Sequence, residues 1–107
     1  MITKEHFTIL EDQLDYFAKT KQLKSAEAKA LLDDYFELIE QYFKQINNID
    51  KLEFQELDHY PVVPMNFEER YNYMIARKYH FMGYRQMKTL KSELIKMNAS
   101  YQIRRKK

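Results

Sequence analysis

Glycine and proline are so rare in this chain that it can form only a few turns between long regular elements. Its 107 residues include one glycine and two prolines, whereas their usual shares are roughly 7% and 5%. These two residues mark most turns, and several residues that are plentiful here, among them Lys, Glu, Leu, Gln and Met, favour helices. We therefore predict an all-α fold, a small helical bundle built as one domain.

The first half is predicted to form an antiparallel helical hairpin. Its apolar residues recur every three or four positions, which places them on one face of each helix. The first helix is expected over about Lys4 to Gln22, behind an N-cap at Thr3. The second begins after Ser25, its N-cap, and stops at Asn47-Asn48. The break between the two is short enough to turn the second helix back along the first.

A short helix and an extended crossover are predicted next. Asp50 and Glu53 have the spacing of a capping box and predict a short helix over Lys51 to His59. The two prolines then exclude regular helix from residues 60–66, because each proline forces its predecessor towards extended geometry. Residues 1–59 are therefore interpreted as an acidic hairpin plus a short helix, followed by a proline-bounded crossover.

A long basic helix is predicted over residues 67–103, with Asn66 as its N-cap. Gly83 lies inside it and costs about 1 kcal/mol relative to alanine in a helix interior. Two helices broken near Gly83 are therefore the alternative, with a kink or a close helix–helix approach at the glycine. On either interpretation residues 1–103 form one helical domain, and residues 104–107 are a frayed basic tail.

The charge of the chain is sorted along its length. Residues 1–66 hold 13 of the 16 acidic residues and 7 of the 18 basic ones, a net charge of −6. Residues 67–107 hold 3 acidic and 11 basic residues, a net charge of +8. Such asymmetry indicates either an acidic partner, most often nucleic acid, or an internal electrostatic match between the two parts.

The basic part alternates cations with aromatic rings, a combination suited to single-stranded nucleic acid. Lysine and arginine neutralise phosphates, and aromatic rings offer faces on which unpaired bases stack. The predicted phosphate contacts are Arg70, Arg77, Lys78, Arg85, Lys88 and Lys91. The predicted stacking residues, expected to lie off the apolar stripe, are Tyr73, Phe81 and Tyr84. The alternative is that the basic helix lies against the acidic hairpin and that its tyrosines belong to the core and its rim.

A protein-binding surface is also indicated. Aromatic residues at 15% and six methionines exceed what the thin core of a small domain needs. Tyrosine, methionine and arginine are enriched in interface cores, and methionine adapts to irregular surfaces. The predicted partner-binding residues are Tyr60, Val62, Val63 and Met65 in the crossover and Met74 and Met87 in the basic helix. A larger protein is the expected partner, and a second copy of the chain is a further candidate. The alternative is a well-filled core with the crossover packed on it.

Common enzymatic and cofactor patterns are missing from the sequence. Without cysteine there are no disulfides, thiolate nucleophiles or cysteine-based metal sites. A single glycine excludes phosphate-cradling loops of the Walker and dinucleotide types. Glu56 and His59 form one E-x-x-H pair, but a di-iron bundle needs a second pair and two further glutamates. We predict no catalytic residue, no metal site and no cofactor.

These patterns favour a small non-enzymatic accessory or regulatory subunit. It would bind a larger protein and contact single-stranded nucleic acid through its basic, aromatic C-terminal helix. The alternative is a pure protein-interaction module, such as an inhibitor or immunity-type helical bundle from a phage or other mobile element. No apolar run approaches the ~20 residues of a membrane span, and the N-terminus lacks the apolar stretch of a signal peptide. We expect a soluble, cytoplasmic protein.

Overall fold

The computed structural model describes residues 1–105, which form five helices and no strand. They are α1 (Lys4–Lys19), α2 (Ala26–Asn47), a 3-10 helix (Phe54–His59), α3 (Phe67–Ala76) and α4 (Phe81–Arg105). The predicted all-α bundle is confirmed. Arg104 and Arg105, predicted as tail, continue α4, and residues 106–107 of that tail lie outside the described residues. None of the five helices combines the length and apolarity that a bilayer crossing requires.

Local side chains set the ends of the two-helix hairpin. α2 begins where predicted, because the Ser25 hydroxyl accepts a hydrogen bond from the Ala28 N–H at 3.1 Å. It also ends where predicted, because Asn48 turns the chain into the left-handed conformation (φ 55°) that asparagine tolerates. α1 stops at Lys19, earlier than predicted. The reason is Lys21, whose left-handed backbone (φ 60°) cannot continue a right-handed helix.

The core lies around α2, which packs against both α1 and α4. Phe7 and Leu14 of α1 and Leu90 of α4 are fully buried in it, and burying such a side chain contributes about 1.5–3 kcal/mol. Aromatic rings join α2 to α3, where Phe43 stacks on Phe67 with ring centroids 4.4 Å apart. Because all four α-helices contribute to one hydrophobic cluster, their outward faces have fixed relative positions.

The short helix predicted over Lys51 to His59 forms only in part, as a 3-10 helix that begins at Phe54 and ends at His59. Glu53 precedes it without a side-chain cap. The predicted box required the Asp50 side chain to accept the Glu53 N–H. In the structure the Tyr60 hydroxyl accepts that N–H at 3.1 Å. A contact from the crossover has therefore replaced the local cap.

The basic part forms two helices rather than one long helix over residues 67–103. The break falls at residues 77–80, just before Gly83. The predicted alternative of two helices broken near Gly83 is the one observed. A Cβ on Gly83 would lie only 1.7 Å from the Arg77 carbonyl oxygen, so the glycine allows α4 to pass close to the backbone at the end of α3 rather than to a second helix. Asn66 precedes α3 as predicted but makes no side-chain cap. Its backbone is left-handed (φ 57°), whereas a capping side chain needs an extended backbone.

Candidate nucleic-acid interface

Four of the six cations predicted to contact phosphates form ion pairs inside the chain. The pairs are Arg70–Glu93 (2.7 Å), Lys78–Asp33 (3.2 Å), Lys88–Asp15 (3.0 Å) and Lys91–Glu11 (2.8 Å). In three of them the carboxylate belongs to α1 or α2 and the lysine to α4 or to the turn before it. Part of the positive charge of residues 67–107 is therefore paired with the negative charge of residues 1–66 inside the molecule.

Tyrosines reinforce this match. Four carboxylates of α1 and α2, together with their tyrosine and lysine partners, form what we call the carboxylate ladder. Each carboxylate accepts a tyrosine hydroxyl: Glu11 from Tyr35, Asp15 from Tyr84 (2.7 Å), Asp33 from Tyr79 (2.7 Å) and Glu40 from Tyr71 (2.6 Å). Three of the four also hold one of the lysines above. Glu11 is 13% exposed, whereas Asp15 and Asp33 are about half exposed. A shielded hydrogen bond to a charged group contributes about 1.5–3 kcal/mol, so Glu11 should contribute most to holding the helices together.

The ladder removes two residues from the predicted interface. The Lys91 side chain is only 11% exposed and lies against Glu11, which is 13% exposed. Tyr84 is 2% exposed, and its ring meets the Tyr35 ring in the core. The prediction that Tyr84 lies off the buried stripe and is available to a base is therefore wrong, because α4 turns this residue towards Asp15.

The ionisation of the ladder follows from these contacts. Burial by itself would raise the pKa of Asp15, but hydrogen bonds from Tyr84 and Lys88 outweigh it and hold the pKa below its usual value. The hydrogen bond from Tyr79 likewise lowers the pKa of Asp33. Burial and the bond to Asp15 together raise the pKa of Tyr84. At neutral pH Asp15 and Asp33 are therefore ionised and Tyr84 is neutral.

A groove between α1 and α4 is lined by three cations, of which Lys88 belongs to the ladder and Arg85 and Lys96 do not. This α1–α4 groove has a volume of about 610 Å³. Arg85, Lys88 and Lys96 line it together with Phe81, which has 53% of its surface exposed. Asp15 and Glu93 line it too, but each already has a cation partner. Within residues 1–105 Arg85 and Lys96 make no ion pair.

A second cavity adjoins the groove and shares Ala18 and Phe81 with it. This turn pocket, of about 470 Å³, lies between the α1–α2 turn and the turn before α4. Its other lining residues are Lys21, Leu23, Lys24, Tyr79 and His80. Because the two cavities share Phe81, they form one path along the surface with an exposed aromatic ring at its middle.

Arg77 and Tyr73 lie outside this path. The Arg77 guanidinium sits over the Tyr73 ring, 5.4 Å from its centroid, and neither residue lines the groove or the turn pocket. Of the nine residues predicted to contact nucleic acid, four line the groove: Phe81, Tyr84, Arg85 and Lys88. Tyr84 contributes only its buried edge, since it is 2% exposed. Three further cations on this path, Lys21, Lys24 and Lys96, were missed. The interrupted helix pattern at residues 19–25 was the signal that could have pointed to the first two, since turns carry binding residues disproportionately often.

The predicted partner-binding residues divide into buried and exposed ones. Val62, Met74 and Met87 are at most 1% exposed, so they belong to the core and the prediction that they meet a partner is corrected. Val62 is held there by Asn47, whose side chain bonds to its N–H at 2.8 Å and to its carbonyl at 2.9 Å. Met65 is 82% exposed.

Tyr60 and Val63 are half-buried beside Met65 in the crossover. The Tyr60 ring packs against the core residue Phe43, with centroids 6.0 Å apart. The crossover therefore packs partly on the hydrophobic core, which agrees with its apolar composition. Of its four predicted partner-binding residues, Met65 is the one that is largely exposed to solvent.

Glu56 and His59, the E-x-x-H pair, contact each other at 3.7 Å. Among the described residues no group of three or more histidines and carboxylates is placed to hold a metal ion.

The chain belongs to the YpoC-like family, since the family model described as YpoC-like protein matches residues 2–106. That description names no activity, ligand or partner. Neither the curated proteins nor the solved structures give a significant match.

Proposed function

For this member of the YpoC-like family, we propose a non-enzymatic accessory role in which the α1–α4 groove contacts single-stranded nucleic acid while the protein is bound to a larger partner. The observation that carries the proposal is the groove itself. It brings Arg85 and Lys96, neither of them ion-paired in the described chain, to one surface with the exposed ring of Phe81.

These groups match the chemistry of an unpaired strand. Guanidinium and ammonium groups neutralise phosphates and release counterions. An exposed phenylalanine stacks with any base, a contact worth about 1–3 kcal/mol. A base inside a duplex already stacks on its neighbours and presents no face to Phe81. The groove should therefore prefer single strands to duplex.

The larger partner would dock away from the groove. Met65 stands out from the crossover and lines neither the groove nor the turn pocket. A methionine at an exposed position adapts to an irregular partner surface. In this proposal the protein works in the cytoplasm, where single strands are exposed and the lack of cysteine is ordinary.

A specific observation favours the second candidate, a pure protein-interaction module. Three of the lysines predicted to bind phosphate form ion pairs in the carboxylate ladder. Attraction between the acidic and basic parts of the molecule therefore accounts for part of the charge asymmetry without nucleic acid. In that case the groove carries no strand, and Met65 is part of the functional surface.

Salt dependence of oligonucleotide binding separates the two candidates. We expect the protein to bind a fluorescent single strand at low salt more tightly than the duplex of the same sequence, and to lose affinity steeply as salt rises. The variant Arg85→Glu/Lys96→Glu should bind at least tenfold more weakly and flatten the salt slope by about 2.

The matched control is Lys4→Glu/Lys51→Glu. It changes the net charge by the same amount at two exposed lysines that line neither cavity. If both double variants weaken binding equally, the attraction is a general effect of net charge and the groove is not the site. If the parent binds neither strand nor duplex at low salt, the interaction-module candidate replaces the proposal.

A further inference from the structure

The turn pocket has a chemistry different from that of the open groove beside it. Leu23 and Ala18 form apolar wall, and Tyr79 and Phe81 supply aromatic rings. Lys21 and Lys24 stand at the pocket as cations, and no carboxylate lines it. Flat apolar surface with fixed positive charge is what an aromatic, anionic ligand needs.

The Tyr79 wall is held rigidly. The tyrosine hydroxyl donates to Asp33 at 2.7 Å, and the Lys29 ammonium lies 5.3 Å from the ring centroid. A ring fixed at its hydroxyl end loses little freedom when a ligand packs against it, so less binding energy is spent on ordering the site.

Lys21 has a left-handed backbone conformation that is unfavourable for lysine. It ends α1 in a Schellman motif: the Gln22 N–H donates to the Phe17 carbonyl at 2.7 Å, and the Lys21 N–H donates to the Ala18 carbonyl at 3.1 Å. The central residue of this motif is left-handed (φ 60°) and is usually glycine or asparagine. The side chain at this strained position is one of the two cations at the pocket.

We propose that the turn pocket binds a nucleoside monophosphate unit, with the base between the apolar wall and the aromatic rings and the phosphate on Lys21 and Lys24. The volume of about 470 Å³ falls in the range of small-molecule sites. This inference rests on the proposed function when the unit is one nucleotide of a strand in the adjoining groove. A free mononucleotide has the same chemistry, and the experiment distinguishes the two sources.

The first arm measures thymidine monophosphate, thymidine and inorganic phosphate by amide chemical-shift changes in the labelled protein. We expect thymidine monophosphate to shift residues 18–24 and 79–83, and to bind at least fivefold more tightly than thymidine or phosphate alone. A second arm measures the single strand, which should shift these residues together with those of the α1–α4 groove.

Lys21→Gly is the decisive variant because it separates binding from folding. Glycine suits the left-handed position, so the urea midpoint of unfolding should rise while the affinity for thymidine monophosphate falls at least fivefold. Lys21→Asn, which also tolerates this backbone, should weaken binding to a similar degree. Lys19→Asn is the control, because it removes a charge from the same end of α1 outside the pocket lining, and it should bind like the parent.

The outcomes distinguish this inference from the function on which it rests. If the single strand binds but thymidine monophosphate leaves residues 18–24 unshifted, the pocket proposal is overturned and the groove stands. If the mononucleotide binds and the strand does not, the proposed function is overturned and the pocket is a site for free nucleotides. If Lys21→Gly binds as tightly as the parent, the phosphate is not on Lys21 and the proposal is wrong.

Discussion

Lys91 and Arg85 lie less than two turns apart on α4, yet the structure uses them in opposite ways. Lys91 is buried against Glu11 as part of the carboxylate ladder. Arg85 is exposed in the α1–α4 groove and has no ion pair within residues 1–105. The same kind of charge thus holds the bundle together on one face of the helix and is open to a ligand on the adjacent one.

The two residues teach that the buried and the exposed cations of a basic helix must be considered separately. Only the exposed cations can indicate a binding partner outside the molecule. A cation on the packed face needs an acidic partner inside the molecule, because burying an unpaired charge is very unfavourable. A cation on the open face is solvated and available. Asp15, Tyr84 and Lys88 of the ladder also line the groove. Buried ladder residues away from the groove, such as Glu11 and Lys91, should change stability when substituted, and exposed groove residues, such as Arg85 and Phe81, should change binding.

The largest stability effect is expected in the ladder, from Glu11→Ala. This change leaves Lys91 nearly buried without its partner and removes the acceptor of the Tyr35 hydroxyl. Breaking a buried ion pair from one side costs about 3–5 kcal/mol, and we expect about 3 kcal/mol in urea unfolding, since both side chains keep some exposure.

Two controls sharpen this prediction. Arg85→Ala in the groove should stay within about 0.5 kcal/mol of the parent, as exposed substitutions usually do. Glu11→Gln keeps an acceptor for Tyr35 but loses the charge, so its cost should fall between the two. Equal free energies of unfolding for Glu11→Ala and Arg85→Ala would mean that the two faces do not differ.

Gly83→Ala should disturb both regions at once, with the next largest effect on stability. The new methyl group would overlap the Arg77 carbonyl, forcing apart the turn and the first turn of α4, which carries Phe81 and Tyr84. Overpacking of this kind costs about 1–3 kcal/mol, occasionally more, and we expect about 2 kcal/mol together with weaker strand binding.

The sign of the change in the free energy of unfolding decides whether Gly83 lies at a close approach. In an unobstructed helix alanine is more favourable than glycine by about 1 kcal/mol, so a stabilised Gly83→Ala protein would contradict the close approach. Met82→Ala, at the exposed neighbouring position, is the control and should change the free energy of unfolding by less than about 0.5 kcal/mol.

Phe81→Ala should weaken binding, whereas Tyr84→Phe should lower stability. Phe81 is exposed between the groove and the turn pocket, so its removal should weaken single-strand binding about tenfold, a typical loss for one stacked base. Tyr84→Phe removes the hydroxyl that donates to Asp15 and should cost about 1 kcal/mol of stability with unchanged binding. Denaturation and strand titration on both variants check this. Asp15, Tyr84 and Lys88 of the ladder also line the groove, so a loss of affinity in Tyr84→Phe would mean that the Tyr84–Asp15 hydrogen bond contributes to binding.

Much of the fold could be predicted because it depends on local patterns. Helical periodicity predicted the hairpin, and Ser25 and Asn48 act at its ends through neighbouring backbone groups. The errors came from contacts between distant residues. Tyr60 takes the N–H that an Asp50 cap would have bound. The break at residues 77–80 agrees with the alternative of two helices that Gly83 had indicated, and its position depends on the close approach of Gly83 to the Arg77 backbone.

The candidate site was less predictable, because the packing of the helices decides which of its residues are exposed. The sequence placed Phe81, Arg85 and Tyr84 in one basic, aromatic stretch, but a rotation of a few tens of degrees about α4 decides which of them is buried. The pairing of Tyr84 with Asp15, 69 residues away in the chain, has no sequence signal. The cations Lys21 and Lys24 join the site only because two turns meet.

The smallest expected effect concerns acid stability, and Asp15 is the residue that tests it. Its pKa is lowered in the folded protein, where hydrogen bonds from Tyr84 and Lys88 outweigh the effect of burial. A carboxylate of this kind stabilises the fold above its unfolded pKa of about 3.9. That contribution is lost as the pH falls through the lower folded value.

Because the Asp15 side chain is about half exposed, solvent screening should keep its contribution below about 1 kcal/mol. Asp15→Asn keeps an oxygen acceptor for Tyr84 but cannot ionise, so its urea midpoint should fall less than that of the parent between pH 6 and pH 3. Glu93→Gln, whose carboxylate contacts Arg70 outside the ladder, is the comparison. If the urea midpoint of Asp15→Asn falls as steeply with pH as the midpoints of the parent and of Glu93→Gln, the ionised Asp15 carboxylate does not stabilise the fold.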